Sequence, residues 1–275
     1  MFLVFDIGGT NIRIACSDDG QTILKRNIIP TPQQFSEGIQ LIKQQAEDLC
    51  KGIKIEATAG GFAGPLDKDK SYLVKSPHLP DWIGKPFKSE LERTFSCPVF
   101  LENDSALGGL GEAVFGAGKD FPIVGYLALG TGIGGARIVN DEIDKNSLGF
   151  EPGHQIIIPG GNLCNCGGAG HLESYIGGIY IEKNYHQKAE DITDPRIWDE
   201  ISNYLAIGLH NMTVLWSPDI IVLGGSVSKS LIIEKVANYL KDILKIFPQP
   251  PKLVKASLGD EAGLYGALEY LRQNQ

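Results

Sequence analysis

Two short glycine-rich turns carry residue types suited to phosphate chemistry: Asp6-Ile7-Gly8-Gly9-Thr10-Asn11 and Leu129-Gly130-Thr131-Gly132-Ile133-Gly134-Gly135. Each follows one apolar run and precedes another, so each joins two strands. Glycine admits positive φ and lets backbone N–H groups approach a ligand. Thr10, Asn11 and Thr131 add hydroxyl and amide donors. A cleft lined by two such turns would cradle a polyphosphate, and Gly224-Gly225, after a third apolar run, extends the pattern. Two other readings compete. Gly130, Gly132 and Gly135 match the G-x-G-x-x-G spacing of a dinucleotide site, yet β-like residues follow where that motif needs a helix. Alternatively, the glycine turns merely close hairpins. Recurrence of the turn within one chain favours nucleotide phosphate. A Walker loop is absent, because Gly118-Lys119 is followed by Asp120.

A second group is Leu101-Glu102-Asn103-Asp104-Ser105, at a strand end and a helix start. Asn103 or Asp104 would serve as an N-cap. Asp104 would serve equally as a general base, taking the proton of a hydroxyl that attacks phosphorus. Residue types alone leave both open. A third group comprises Glu151-Pro152-Gly153-His154, Cys164-Asn165-Cys166 and Gly170-His171-Leu172-Glu173. His154, Cys164, Cys166 and His171 are two imidazoles and two thiols within 18 residues. Zinc takes four such ligands in a closed tetrahedral site, and four protein ligands leave no open position, so this reads as a structural metal. A metal would also order an irregular segment of this length. The alternative is two reduced cysteines and two loop histidines without metal.

The elements that must position these groups alternate between strand and helix. Strands are expected over 2–6, 11–17, 21–29, 53–59, 98–101, 123–129, 133–140, 218–224 and 253–256. Phe35, Ile39, Ile42, Ala46 and Leu49 fall at helical spacing and predict a helix over 31–50. Further helices are expected over 86–94, 103–115, 171–185, 197–216, 228–246 and 261–272, with loops and short strands over 62–86 and an irregular stretch over 141–170. The unit strand, glycine turn, strand occurs twice, which suggests two α/β lobes. Gly and Pro cluster over 116–122 and mark the boundary. The expected division is 1–118 for the first lobe, joined by a returning helix over 261–275, and 119–260 for a second lobe with the metal loop.

Composition narrows the class. Apolar residues make up 43% and charged residues 21%, as in a globular chain able to bury a sizeable core. The net charge is −8 and no Lys/Arg run forms a basic patch, so nucleic acid is not an expected partner. No apolar segment approaches the roughly 20 residues that span a bilayer, so no membrane partner is expected. The N-terminal apolar stretch is interrupted by Asp6 and lacks a basic leader region. With five cysteines, an odd number, and only Cys164 and Cys166 close together, a secreted disulfide framework is excluded. A cytoplasmic protein is expected.

The whole chain resembles the ROK family (repressors, open reading frames and sugar kinases), its glucokinase branch in particular. The resemblance runs through Phe5-Asp6-Ile7-Gly8-Gly9-Thr10-Asn11, Gly61-Phe62-Ala63-Gly64-Pro65-Leu66-Asp67 and Val99-Phe100-Leu101-Glu102-Asn103-Asp104. It continues through the turn at 129–135, Glu151-x-Gly153-His154 and Cys164-x-Cys166-Gly167-x-x-Gly170-His171-x-Glu173. Pro218 to Gly225 and Gly259-Asp260-Glu261-Ala262-Gly263-Leu264-x-Gly266-Ala267 complete it. The resemblance implies an α/β, actin-like (ribonuclease H-like) two-lobed fold with the site between the lobes. It implies Mg-ATP-dependent phosphorylation of a hexose at its 6-hydroxyl, with glucose expected and mannose, N-acetylglucosamine or N-acetylmannosamine as alternatives. A homodimer is also implied.

On this match Asp104 is the catalytic base. Asp6, Gly8, Gly9, Thr10, Asn11, Thr131 and Gly132 hold phosphate and magnesium, and Gly224 and Gly225 the nucleotide. Gly64, Asn103, Asp104, Glu151, His154 and Glu173 contact sugar hydroxyls, which suits groups that donate and accept. His154 would give one ring nitrogen to zinc and the other to the sugar. The chain departs from the family in two places: His171 stands where the family has a third cysteine, and Ala106 where a second asparagine is common. Family repressors join a sugar-binding body to an N-terminal helix-turn-helix. This chain starts in its first phosphate-turn strand and lacks a basic patch, so a kinase is expected over a repressor. A catalytically silent sugar sensor is a third reading, against which the intact Asp6, Asn103 and Asp104 argue.

Overall fold

A computed structural model describes residues 1–76 and 79–275. Positions 77 and 78, within the loop expected over 62–86, lie outside the described residues. The chain forms two compact units. Unit 1 comprises Met1–Phe115, Lys145–Gly149 and Asp260–Gln275; unit 2 comprises Gly116–Asp144 and Phe150–Gly259.

Unit 1 contains β1 (Phe2–Ile7), β2 (Asn11–Ser17), β3 (Lys25–Pro30), α1 (Phe35–Cys50), β4 (Ala57–Phe62), α2 (Phe87–Phe95), β5 (Val99–Asn103) and α3 (Asp104–Val114). Its sheet has the order β3-β2-β1-β4-β5, in which β1, β3, β4 and β5 run one way and β2, paired with β1 and β3, runs the other. Strand side chains alternate between faces. Leu3, Phe5 and Ile7 therefore join one core with Ile42 and Ala46 of α1 and Phe87 and Leu91 of α2. Edge-to-face rings brace it, Phe62 and Phe87 lying 4.5 Å apart at 84°.

Unit 2 contains β6 (Ile123–Leu129), β7 (Ile133–Val139), β8 (Glu142–Ile143), α4 (Glu173–Ile176), α5 (Gly178–Tyr185), α6 (Pro195–Trp216), β9 (Ile220–Gly224), α7 (Ile233–Ile243) and β10 (Lys252–Lys255). The sheet order is β10-β9-β6-β7-β8, in which β6, β8, β9 and β10 run one way and β7, paired with β6 and β8, runs the other. Taken in chain order, the two sheets have the same connectivity, so the repeated strand–turn–strand unit opens two equivalent sheets. Leu127, Leu129, Ile221 and Leu223 face Leu205 and Leu209 of α6 and Val236 and Leu240 of α7 in the second core.

The last helix, α8 (Ala262–Asn274), belongs to unit 1 and packs on α3, β1 and β4. Small residues bring the two helices together. A Cβ on Gly266 would lie 1.8 Å from Leu107 O, and one on Gly111 2.2 Å from Ala262 O.

Several elements differ from the sequence reading: the strand expected over 21–29 begins only at Lys25, and the helix expected over 31–50 only at Phe35. The helix expected over 171–185 is broken at Gly177, which is extended at φ −65°, ψ 144° and caps the first piece with an N–H bond to Glu173 O. The helix expected over 228–246 starts only at Ile233, after a 3-10 turn at Val227–Ser230. The strand expected from 53 begins at Ala57, because only from there does the chain pair with β1.

Candidate active site and metal centre

In unit 1 the register of three parallel strands brings the sequence motifs to one edge. Ile7 pairs with Phe62, and Phe62 with Asn103. The turn after β1, the Ala63-Gly64 turn after β4 and Asp104 after β5 therefore leave the sheet side by side, at the carboxyl edge where α/β proteins bind ligands.

The turn at Gly8–Asn11 is closed by the Gly8 N–H to Asn11 O bond, 3.0 Å. It is held from outside by Thr31, whose hydroxyl donates to Gly8 O at 2.7 Å and whose N–H donates to Thr10 O at 2.9 Å. Asp6 lies beneath it, opposite Arg13 on β2, with 3.6 Å between Oδ2 and the Arg13 guanidinium. Burial pushes Asp6 up to about 6; Arg13 opposes the shift and Asp260 reinforces it. Gly263 on α8 gives the carboxylate room, since a Cβ there would lie 3.3 Å from Asp6 Oδ2. The buried Nε of Arg13 has no hydrogen-bond partner among the described residues.

At the β5–α3 junction the structure settles which residue caps the helix. Asn103 is the cap: its Oδ1 accepts the N–H groups of Ser105 and Ala106 at 3.0 and 3.1 Å. Its Nδ2 donates to Gly64 O at 3.3 Å, so two expected sugar contacts are tied together. Asp104 is the first residue of the helix, and its Oδ1 accepts the Ser105 N–H at 2.7 Å.

Unit 2 repeats the arrangement at the carboxyl ends of β6 and β9, where Ala128 pairs with Gly224. The turn at Gly130–Gly132 is closed by the Gly130 N–H to Gly132 O bond, 3.0 Å. The start of α5 docks on it, with Gly178 N–H on Gly130 O at 2.8 Å and Ile179 N–H on Thr131 O at 3.1 Å. The break at Gly177 makes that docking possible. Glu173 Oε2 accepts the Ile133 N–H at 2.7 Å, and a Cβ on Gly132 would lie 2.5 Å from that same oxygen. The expectation that turn glycines use positive φ holds at Gly225 (φ +84°) and Gly64 (φ +140°). Gly8, Gly9, Gly130 and Gly132 lie outside the left-handed region; at Gly132 the requirement is space. Desolvation and the Glu173 charge push Glu151 up to about 7, although Glu151 itself remains exposed to solvent.

The four predicted metal ligands converge in unit 2. Their donor atoms lie within 4.8 Å of one another. The His154 and His171 Nδ1 atoms are 3.4 Å apart, Cys166 Sγ is 3.3 Å from His171 Nδ1, and Cys164 Sγ is 3.8 Å from His154 Nδ1. Tetrahedral zinc with bonds of about 2.0 Å to nitrogen and 2.3 Å to sulfur requires ligand–ligand edges of roughly 3.3–3.8 Å. The donor set fits that ion, and so do these three edges; the widest separation among the four donors, up to 4.8 Å, would close on binding. Both rings turn Nδ1 inward, which leaves each Nε2 on the far side of its ring. Gly168 gives His171 its place: a Cβ there would lie 2.5 Å from His171 Cε1. Cys164 Sγ is also 3.8 Å from Glu173 Oε1, so one carboxylate touches both the Cys/His loop and the end of the Gly130–Gly132 turn.

Sequence reasoning missed Arg13, Thr31, Lys70 and Gly263. Arg13 was within reach, because a hairpin through Gly8–Thr10 sets it across from Asp6 as an opposite-charge pair. Thr31, Lys70 and Gly263 reach their partners only through tertiary packing.

Among relatives, the chain is 28% identical to a glucokinase of Streptomyces coelicolor, over 98% of this chain and 96% of that one. It is 27% identical to an N-acetyl-D-glucosamine kinase of Yersinia pseudotuberculosis, over 97% of each. Among solved structures it superposes on a ROK family glucokinase from Streptomyces griseus in complex with glucose and AMPPNP, with a TM-score of 0.84, 28% identity and 99% of each chain covered. The fold is the actin-like ATPase and sugar-kinase fold. The model of the ROK family matches residues 3–274, through both units and across α8, and the chain belongs to that family.

Proposed function

We propose that this chain is an ATP-dependent sugar kinase that transfers the γ-phosphoryl group of ATP to the 6-hydroxyl of a hexose, glucose in the first place. The observation that carries the reading is the unit 1 edge: Asp104, next to the Asn103 cap, leaves β5 at the same carboxyl edge as the glycine turn after β1, with β4 between them. In the proposed reaction Asp104 takes the proton of the 6-hydroxyl as the new O–P bond forms and ADP leaves with the electron pair of the broken bond. The Gly8–Asn11 and Gly130–Gly132 turns and Gly224-Gly225 hold the nucleotide, and Gly64, Asn103, Glu151, His154 and Glu173 hold the sugar. The Oε2 of Glu173 serves the Ile133 N–H and its Oε1 lies 3.8 Å from Cys164 Sγ, so a sugar hydroxyl would meet a carboxylate already held in place.

Magnesium, when bound, neutralises phosphate charge beside Asp6. The unpartnered Nε of Arg13 fits such an anionic neighbour. His154, Cys164, Cys166 and His171 would hold zinc as a closed structural centre that cross-links the 154–171 segment.

The reading is tested by ADP release with Mg-ATP across a panel of hexoses. Asp104→Ala is expected to lower turnover by about 10²–10⁴-fold, the usual worth of a general base, with sugar binding retained. Near-wild-type turnover in that variant would remove Asp104 from its role. A second reading is phosphorylation of N-acetylglucosamine, favoured by the Yersinia relative at the same level of identity; the panel separates the two by which sugar supports the higher kcat/KM.

A further inference from the structure

The loop after β4 holds a lysine in a backbone conformation that lysine does not favour. Lys70 has φ +50°, in the left-handed region. That conformation is unfavourable for a residue with a Cβ and costs glycine nothing. The turn around it is well made: Asp67 Oδ1 accepts the Tyr72 N–H at 2.9 Å, and Lys70 N–H donates to Asp67 O at 2.9 Å. Strain kept in a well-made turn points to the side chain as its reason.

What that side chain reaches is Glu102. Lys70 Nζ pairs with Glu102 Oε2, donates to the Tyr270 hydroxyl at 3.2 Å and lies 5.4 Å from the centre of that ring. Glu102 is 6% exposed and occupies the next-to-last position of β5. Its other oxygen, Oε1, accepts the N–H of Asn103 at 2.9 Å. Asn103 in turn caps α3 and holds Gly64 O. A single carboxylate therefore connects the lysine charge to the junction from which Asp104 projects. A buried carboxylate that loses its cation is strongly unfavourable and must take a proton or turn to water. Either response disturbs the oxygen that holds the Asn103 amide.

We propose that Lys70 is a positioning residue: through Glu102 it fixes the backbone of Asn103 and with it the direction of Asp104. The catalytic consequence rests on the kinase reading above; the structural one does not.

Lys70→Gly relieves the backbone penalty while removing the side chain, Lys70→Met keeps the bulk without the charge, and Lys70→Arg keeps the charge. Two readouts are needed, steady-state kinetics and hydrogen exchange at the amides of residues 103–106. The Gly and Met variants are expected to lower kcat, counted per folded chain, about tenfold or more with the KM for ATP within about twofold; a smaller folded fraction would lower kcat in the same way, so the exchange of β6 and β7 sets that fraction. Exchange at 103–106 should quicken by about tenfold while β6 and β7 are unchanged. Lys70→Arg should restore both, and the uncharged pair Lys70→Met with Glu102→Gln should restore the slow exchange. Unchanged exchange in the Gly and Met variants overturns the proposal, as does a double variant that exchanges as fast as Lys70→Met alone. If the wild-type chain phosphorylates no sugar, the kinase reading falls by itself and the exchange measurements still decide the role of Lys70.

Discussion

Asp6 holds its proton in the folded chain to about pH 6, two units beyond its ordinary 3.8. The cause is burial, with Asp260 adding to it and Arg13 working against it. The folded state thus binds this proton more tightly than the unfolded chain. The resulting stabilisation is complete below about pH 4 and is lost as the pH rises through about 6. Asp6→Asn should match wild type in stability near pH 4 and exceed it near pH 8 by up to about 3 kcal/mol. Urea denaturation at both pH values, without magnesium or nucleotide, checks this, and an Asn variant that is less stable at the higher pH would contradict it. The same residue shows what was readable in the sequence. The pair Asp6 and Arg13 follows from the hairpin register. Which of Asn103 and Asp104 caps α3 does not, because both residue types can cap a helix. Lys70 gave no signal at all, since its left-handed backbone and its reach to Glu102 are set by the loop and by Tyr270, far along the chain.

Elements follow local rules until a second element imposes its own. Most strands and helices were legible, because alternation and helical spacing of apolar residues survive in the buried faces. The helix over 171–185 was not, since its break serves the docking of Gly178 on Gly130, a contact across many residues. The meeting of α3 and α8 was also invisible, although its residues are simple: glycines that let backbones touch. In an isolated helix, Gly266→Ala would be favourable by about 1 kcal/mol. Here the new methyl would meet Leu107 O at 1.8 Å, so the helices must separate. Overpacking of this kind costs about 1–3 kcal/mol and sometimes more, and outweighs the gain in propensity. Chemical denaturation of Gly266→Ala is expected to show a net loss, and a stabilised variant would disprove the close approach.

At the scale of the whole molecule, one sheet plan serves twice, and among the described residues only unit 2 carries a Cys/His cluster able to hold a metal. Zinc content of about one per chain is expected, since Cys164, Cys166, His154 and His171 make a single tetrahedral set. Chelation should quicken hydrogen exchange over residues 154–171 and around the Gly130–Gly132 turn, which Glu173 joins to Cys164, and leave β1 and β2 unaffected. Uniform loosening of both units, or none, would break that link. Among the described residues no helix is long and apolar enough to cross a membrane. The interleaved order of the two units bears also on how the chain is made. Unit 1 begins first and is completed last, because α8 follows every residue of unit 2. On the ribosome, the groove of α3, β1 and β4 that receives α8 must stay uncovered while unit 2 is synthesised, so the later unit is the first able to close. Stalled nascent chains lacking α8 should therefore yield a protease-resistant unit 2 beside a still-cleavable unit 1. The interval between them is the time in which a chaperone has most reason to bind.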